Sequence, residues 1–105
     1  MQATGVNKQE QKIEVMADIL SQLHSGASKL SLKGAFRLGI KETLANQGFN
    51  SWKELADKPI AIKKTFFTKL LDESMIHLLK MGFPKELEKE ARNALTKEND
   101  KFLHN

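Results

Sequence analysis

Cysteine and tyrosine are both missing from this chain of 105 residues, tryptophan occurs once, and proline occurs twice. Without cysteine there are no disulfides and no thiolate chemistry, and a reducing compartment is compatible. No apolar run approaches the roughly 18 residues needed to span a bilayer. Met1 to Lys12 is polar, with none of the hydrophobic stretch of a signal peptide, so a soluble, cytoplasmic protein is expected. Tyrosine is absent, valine is rare and apolar residues do not alternate, which leaves little basis for strands. Catalytic groups are equally thin. The histidines are His24, His77 and His104, and there is no His-Glu-x-x-His pair and no glycine-rich phosphate loop. Glu73 and His77 stand one turn apart but lack the Glu-x-x-His spacing of two-metal bundles. Such a pair, if exposed, contributes only about 0.2–0.5 kcal/mol. A non-enzymatic chain without metal or cofactor is the expectation.

What is present is helical periodicity. The length suits one domain, with Met1 to Gln9 read as a flexible tail and residues 10–105 as a helical domain. From Glu10 to His24 the apolar positions Ile13, Met16, Ala17, Ile19, Leu20 and Leu23 recur at helical spacing, with Glu14, Asp18 and Gln22 opposite. Gly26 suits a left-handed cap behind them. A second helix is predicted from about Leu32 to Gln47 on the stripe Leu32, Phe36, Ile40 and Leu44. Gly34 and Gly39 each weaken it by about 1 kcal/mol relative to alanine, and Gly39 is a candidate break. Gly48 caps it, with Phe49 as anchor. Ser51 and Glu54 have the spacing of a capping box for a short third helix, which ends before Pro59. A fourth helix runs from Pro59 to about Met81 on Ile60, Phe67, Leu70, Leu71, Met75 and Leu78, widened by Ile62, Phe66, Ile76 and Leu79. Gly82 and Phe83 repeat the cap and anchor, and Leu87, Ala91, Ala94 or Leu95, and Phe102 carry a fifth helix. The predicted fold is an all-α bundle of about five helices.

Charge is segregated. Nine of the seventeen basic residues lie between Lys29 and Lys69 with only Glu42, Glu54 and Asp57 among them, so that stretch carries +6 while the flanks are each −1. Lys29, Lys33, Arg37 and Lys41 recur every fourth residue and form one stripe on a helix. Like charges so placed disfavour the helix by a few tenths of a kcal/mol per pair, which points to an anionic partner. Lys63 and Lys64 extend the stripe if the fourth helix packs beside the second. Each cation that meets a phosphate releases condensed counterions, and Arg37 has the planar fork for bidentate contact. A solvated helix face is the plain alternative. Lys29 to Arg37 also has the pattern of a basic segment lying on an anionic membrane, without a myristoylation glycine at the N-terminus to anchor it.

Leu38-Gly39-Ile40-Lys41-Glu42-Thr43-Leu44, with Ala35 three residues before the leucine, resembles the centre of a helix-turn-helix DNA-binding motif. Only two residues separate Ile40 from Thr43, where the common pattern has three, and Lys41 replaces the usual cap. One residue fewer turns the second helix by about 100°, and one continuous helix is the competing expectation. Met81-Gly82-Phe83-Pro84 resembles the loop of ubiquitin-associated domains, although those need two helices after it. Ordinary glycine capping with Phe83 returning to the core fits better.

Trp52 opens the short helix within the basic segment. It is a candidate interface anchor or a stacking platform for bases, against a core-filling role. The sequence therefore favours a basic helical binding protein with an accessory or regulatory part, its nucleic-acid contacts (DNA or RNA) drawn from Lys29, Lys33, Arg37, Lys41, Lys63 and Lys64. The alternative is a protein-interaction module of inhibitor, adaptor or immunity type, whose basic face meets an acidic protein.

Overall fold

The computed structural model describes residues 8–103. Five α-helices follow in order: α1 Lys8–Leu23, α2 Lys29–Gln47, α3 Trp52–Ala56, α4 Ile60–Lys80 and α5 Glu88–Leu103, the last entered through a 3-10 turn at Lys85–Leu87. The chain is an all-α bundle of one globule. Residues 1–7 of the expected tail lie outside the described residues, as does His104, while Lys8 and Gln9 already belong to α1.

Caps set the boundaries. Ser28 accepts a hydrogen bond from the Ser31 amide, so α2 begins three residues earlier than its apolar stripe suggests. Ser51 accepts from the Glu54 amide, and Glu54 Oε1 accepts from the Asn50 amide at 2.8 Å, a capping box displaced by one residue. Gly48 and Gly82 take left-handed backbone angles with φ of 79° and 101°. At both, the following phenylalanine amide donates back into the last turn, Phe49 to Leu44 and Phe83 to Leu78. Gly26 does not take that conformation. A Cβ there would stand 3.2 Å from the His24 ring, so this glycine leaves room for the imidazole.

α2 and α4 form the spine, and Gly39 makes their close approach possible. A Cβ at Gly39 would collide with Ser74 Oγ and stand 3.1 Å from Ser74 Cα. Gly39 therefore marks helix packing, not a turn, and α2 is continuous from Lys29 to Gln47, which excludes the helix-turn-helix reading. Thr43 Oγ1 donates to the Gly39 carbonyl at 2.7 Å, and His77 Nε2 lies 2.7 Å from Glu42 Oε1. His77 thus pairs across to α2 instead of with Glu73.

The core joins Ile13, Met16, Ala17 and Leu20 of α1 to Leu32, Phe36 and Ile40 of α2, Leu70, Met75 and Leu78 of α4, and Ala91 and Leu95 of α5. Each fully buried aliphatic side chain contributes about 1.5–3 kcal/mol. Phe66 and Phe67 are both buried, as expected of the widened apolar face of α4. Adjacent helical residues point about 100° apart, and α4 is covered over that whole arc: Phe66 meets Phe49, Phe67 meets Phe102, and Trp52 meets both. Ile60, Ile62 and Ile76, expected on the buried face of α4, are exposed. Phe83 is buried with its ring edge-on to His24 at 5.8 Å, so it is core and not a loop ligand. No helix among the described residues is long and apolar enough to cross a membrane.

Candidate functional site

α1 and α2 run antiparallel, and their edges carry opposite charge at the same four-residue spacing. Arg37 donates through Nε and Nη2 to both oxygens of Glu10 at 3.1 and 2.9 Å. Lys33 reaches Glu14 at 2.7 Å, and Lys29 bridges Glu14 and Asp18, each at 2.6 Å. Hydrogen bonds from Lys29 and then Lys33 hold the Glu14 carboxyl down to about 2, and the Arg37 guanidinium lowers that of Glu10. In turn, Asp18 and then Glu14 raise the Lys29 ammonium. Three of the four stripe cations are therefore matched by α1 carboxylates. The sequence carried the signal: Glu10, Glu14 and Asp18 are spaced by four, like Arg37, Lys33 and Lys29 read backwards.

The remaining cations lie elsewhere. Among the described residues, Lys8, Lys41, Lys63, Lys64 and Lys101 form no ion pair. Lys41 borders a shallow hollow with Leu44, Gly48, Phe49 and Asn50 at the end of α2. Lys64 borders a cleft that runs along one side of α5, with Thr68, Asp72, Arg92, Asn99 and Asp100. On the other side, Lys63 joins Lys8, Lys101, Trp52, Glu98 and Phe102 around a cavity of about 690 Å³. Leu103 lines both, so Lys63 and Lys64 flank the end of α5.

Four elements build that cavity: the first turn of α1, the Ser51-capped start of α3, the first turns of α4 and the last turn of α5. Trp52 is 9% exposed, its body packed on Phe66 and Phe67, both with ring centroids 6.0 Å away. Its role is mainly core, with one edge lining the cavity. Phe102, 41% exposed, lines the cavity and is packed edge-on against Phe67 at 5.4 Å.

Behind Phe102 lies Lys12, whose side chain is 2% exposed. Its ammonium sits 4.8 Å from the Phe102 ring centre and 5.1 Å from that of Phe67, within cation–π range. Glu98 is 4.0 Å away, and Nζ has no hydrogen-bond partner. Desolvation pushes the Lys12 ammonium down to about 8 despite the opposing pull of Glu98. Sequence reading passed over Lys12, although Lys12, Met16 and Leu20 recur every fourth residue on the core face.

Among the described residues, no group of three or more metal-ligating side chains comes together. No protein-family model matches the chain. Neither a curated protein nor a solved structure matches it significantly. The site is therefore read from its own chemistry.

Proposed function

We propose that the chain is a small, non-enzymatic nucleic-acid-binding protein whose phosphate contacts come from Lys8, Lys63, Lys64 and Lys101 rather than from the α2 stripe. One observation carries the reading: lysines that form no ion pair among the described residues line an aromatic-lined cavity and the cleft on the other side of α5. Cations along a strand combined with exposed rings are the means by which proteins hold single strands. Lys29, Lys33 and Arg37 have a lesser part, because α1 already neutralises them. An accessory or regulatory factor of the cytoplasm fits the absence of thiols and of catalytic groups.

The test is binding to labelled single-stranded DNA, duplex DNA and structured RNA across a range of salt. For a single strand, log affinity falls with log salt, and each lysine-to-glutamine change at positions 63, 64 or 101 removes about 0.7 from the slope per lost phosphate contact. Affinity indifferent to salt, or to those three changes, overturns the reading.

A second reading has its own support. Ile60 and Ile62 are 53% and 43% exposed beside Lys63 and Lys64. Apolar side chains edged by cations suit an acidic protein partner, with steering by charge. Ile60→Ser with Ile62→Ser would abolish that contact and leave nucleic-acid affinity unchanged.

A further inference from the structure

We infer that the cavity between α3 and the last turn of α5 is a subsite for one nucleoside phosphate, holding a flat base against Phe102 and its phosphate among Lys8, Lys63 and Lys101. This rests on the nucleic-acid reading and narrows it to a defined place. The volume, about 690 Å³, lies within the roughly 300–1,000 Å³ of small-ligand clefts. The lining combines two features that a purely structural hollow does not need. Three lysines on three different helices line it, and among the described residues none of the three is in an ion pair. Two aromatic rings, Trp52 and Phe102, contribute to the same wall.

The ligand chemistry follows from that pairing. Inorganic phosphate satisfies the lysines and leaves the rings in contact with water. An uncharged base does the opposite. A nucleoside phosphate meets both demands, since every base has a π face and each phosphate is an anion. Lys12 supports the arrangement from behind: its ammonium lies 4.8 Å from the Phe102 ring centre, a ring also anchored edge-on by Phe67. The platform is thus held in place before any ligand arrives, which lowers the ordering cost of binding. Among the described residues Glu98 is the one acid in the lining, and Lys12 lies 4.0 Å from its carboxylate. Its carboxylate is an acceptor for ribose hydroxyls or for an exocyclic amine of the base.

Such a ligand could be a free nucleotide or one residue of a strand, and the experiment separates the two. Trp52 is the only tryptophan and its edge lines the cavity, so its emission reports occupancy directly. The full chain is titrated with AMP, adenosine, inorganic phosphate and a single-stranded oligonucleotide. The expected result is saturable quenching by AMP, at least tenfold weaker binding of adenosine and of phosphate, and loss of AMP affinity on Lys63→Gln with Lys101→Gln. Phe102→Leu should weaken AMP about tenfold, within the range for losing one stacked base, while Phe102→Tyr retains it. Circular dichroism establishes that each variant is folded; if Phe102→Leu is not, the lysine pair and Phe102→Tyr carry the test.

Salt-dependent oligonucleotide binding without any AMP response overturns the subsite and leaves the nucleic-acid reading intact. AMP binding without oligonucleotide binding makes the ligand a free nucleotide and overturns the nucleic-acid reading instead. Silence toward all four probes removes both.

Discussion

Lys12→Met should stabilise this protein at neutral pH. The side chain is almost fully enclosed, its ammonium finds two ring faces and a carboxylate at 4.0 Å, and no hydrogen bond reaches it. Burial lowers its pKa from 10.5 to about 8. At about 1.4 kcal/mol per pH unit, that displacement corresponds to about 3 kcal/mol of unfavourable charge burial. The folded form releases its proton first, so between pH 8 and 10.5 the unfolded chain binds more protons and stability rises with pH. The penalty is therefore fully present below about pH 8 and gone above about pH 10.5. Methionine fills much the same volume without a charge. Urea unfolding at a series of pH values should show the variant more stable by about 2–3 kcal/mol at pH 7. Its advantage should shrink steadily between pH 8 and 10.5 as the native lysine becomes neutral. A variant that is less stable at pH 7, with the native slope preserved, would show that the ring and Glu98 contacts outweigh desolvation and would refute the argument.

The two glycines of α2 should respond oppositely to alanine. Gly34→Ala adds a methyl to open space and should raise stability by about 1 kcal/mol, whereas Gly39→Ala drives a Cβ into Ser74 and should lower it by about 1–3 kcal/mol; thermal melts decide both. Glu14→Gln removes the acid that answers Lys29 and Lys33, so affinity for an anionic strand should increase at low salt, and a decrease measured by anisotropy would contradict the neutralised-stripe account. The Glu14 carboxyl should titrate near pH 2 by carbon-13 NMR and move upward in Lys33→Gln. Because its folded pKa is depressed, the stabilisation from that pair is present above pH 4.5 and is lost as the pH falls toward about 2. Phe67→Ala, which empties the centre of the aromatic cluster, should destabilise by about 3–5 kcal/mol in denaturant unfolding.

Helix number and order were legible in the sequence because periodicity, caps and prolines are local. Gly48-Phe49 and Gly82-Phe83 announced their closures, and Ser51 with Glu54 announced α3. Ser28 hid the true start of α2, since a cap outside the apolar stripe leaves no mark on the stripe. Gly26 had the composition of a left-handed cap but serves the His24 ring, a demand set by tertiary contact. The basic stripe was visible, but its meaning depended on which helix lay alongside and in which direction. Glu10, Glu14 and Asp18 became informative only once α1 was known to run against α2. The cavity could not be read at all, because Lys8, Lys63 and Lys101 are far apart in the chain and only the fold brings them to one lining with Trp52 and Phe102. Ile60, Ile62 and Ile76 were overassigned to the core because the face of α4 is narrower than its apolar content.

Gly39 also settles an ambiguity that the apolar residues leave open. Leu32, Phe36, Ile40 and Leu44 repeat every four positions, so sliding α2 along its partner by one turn, about 5.4 Å, presents nearly the same row of side chains. Only one position on the buried side of that row lacks a Cβ, and Ser74 occupies the notch it leaves. After a one-turn slip, Ser74 would face Ala35 or Thr43 and could not seat. A residue that contributes no packing surface of its own thus selects one alignment from a set of near-equivalents, and a bulkier residue there would leave the spine free to choose among them.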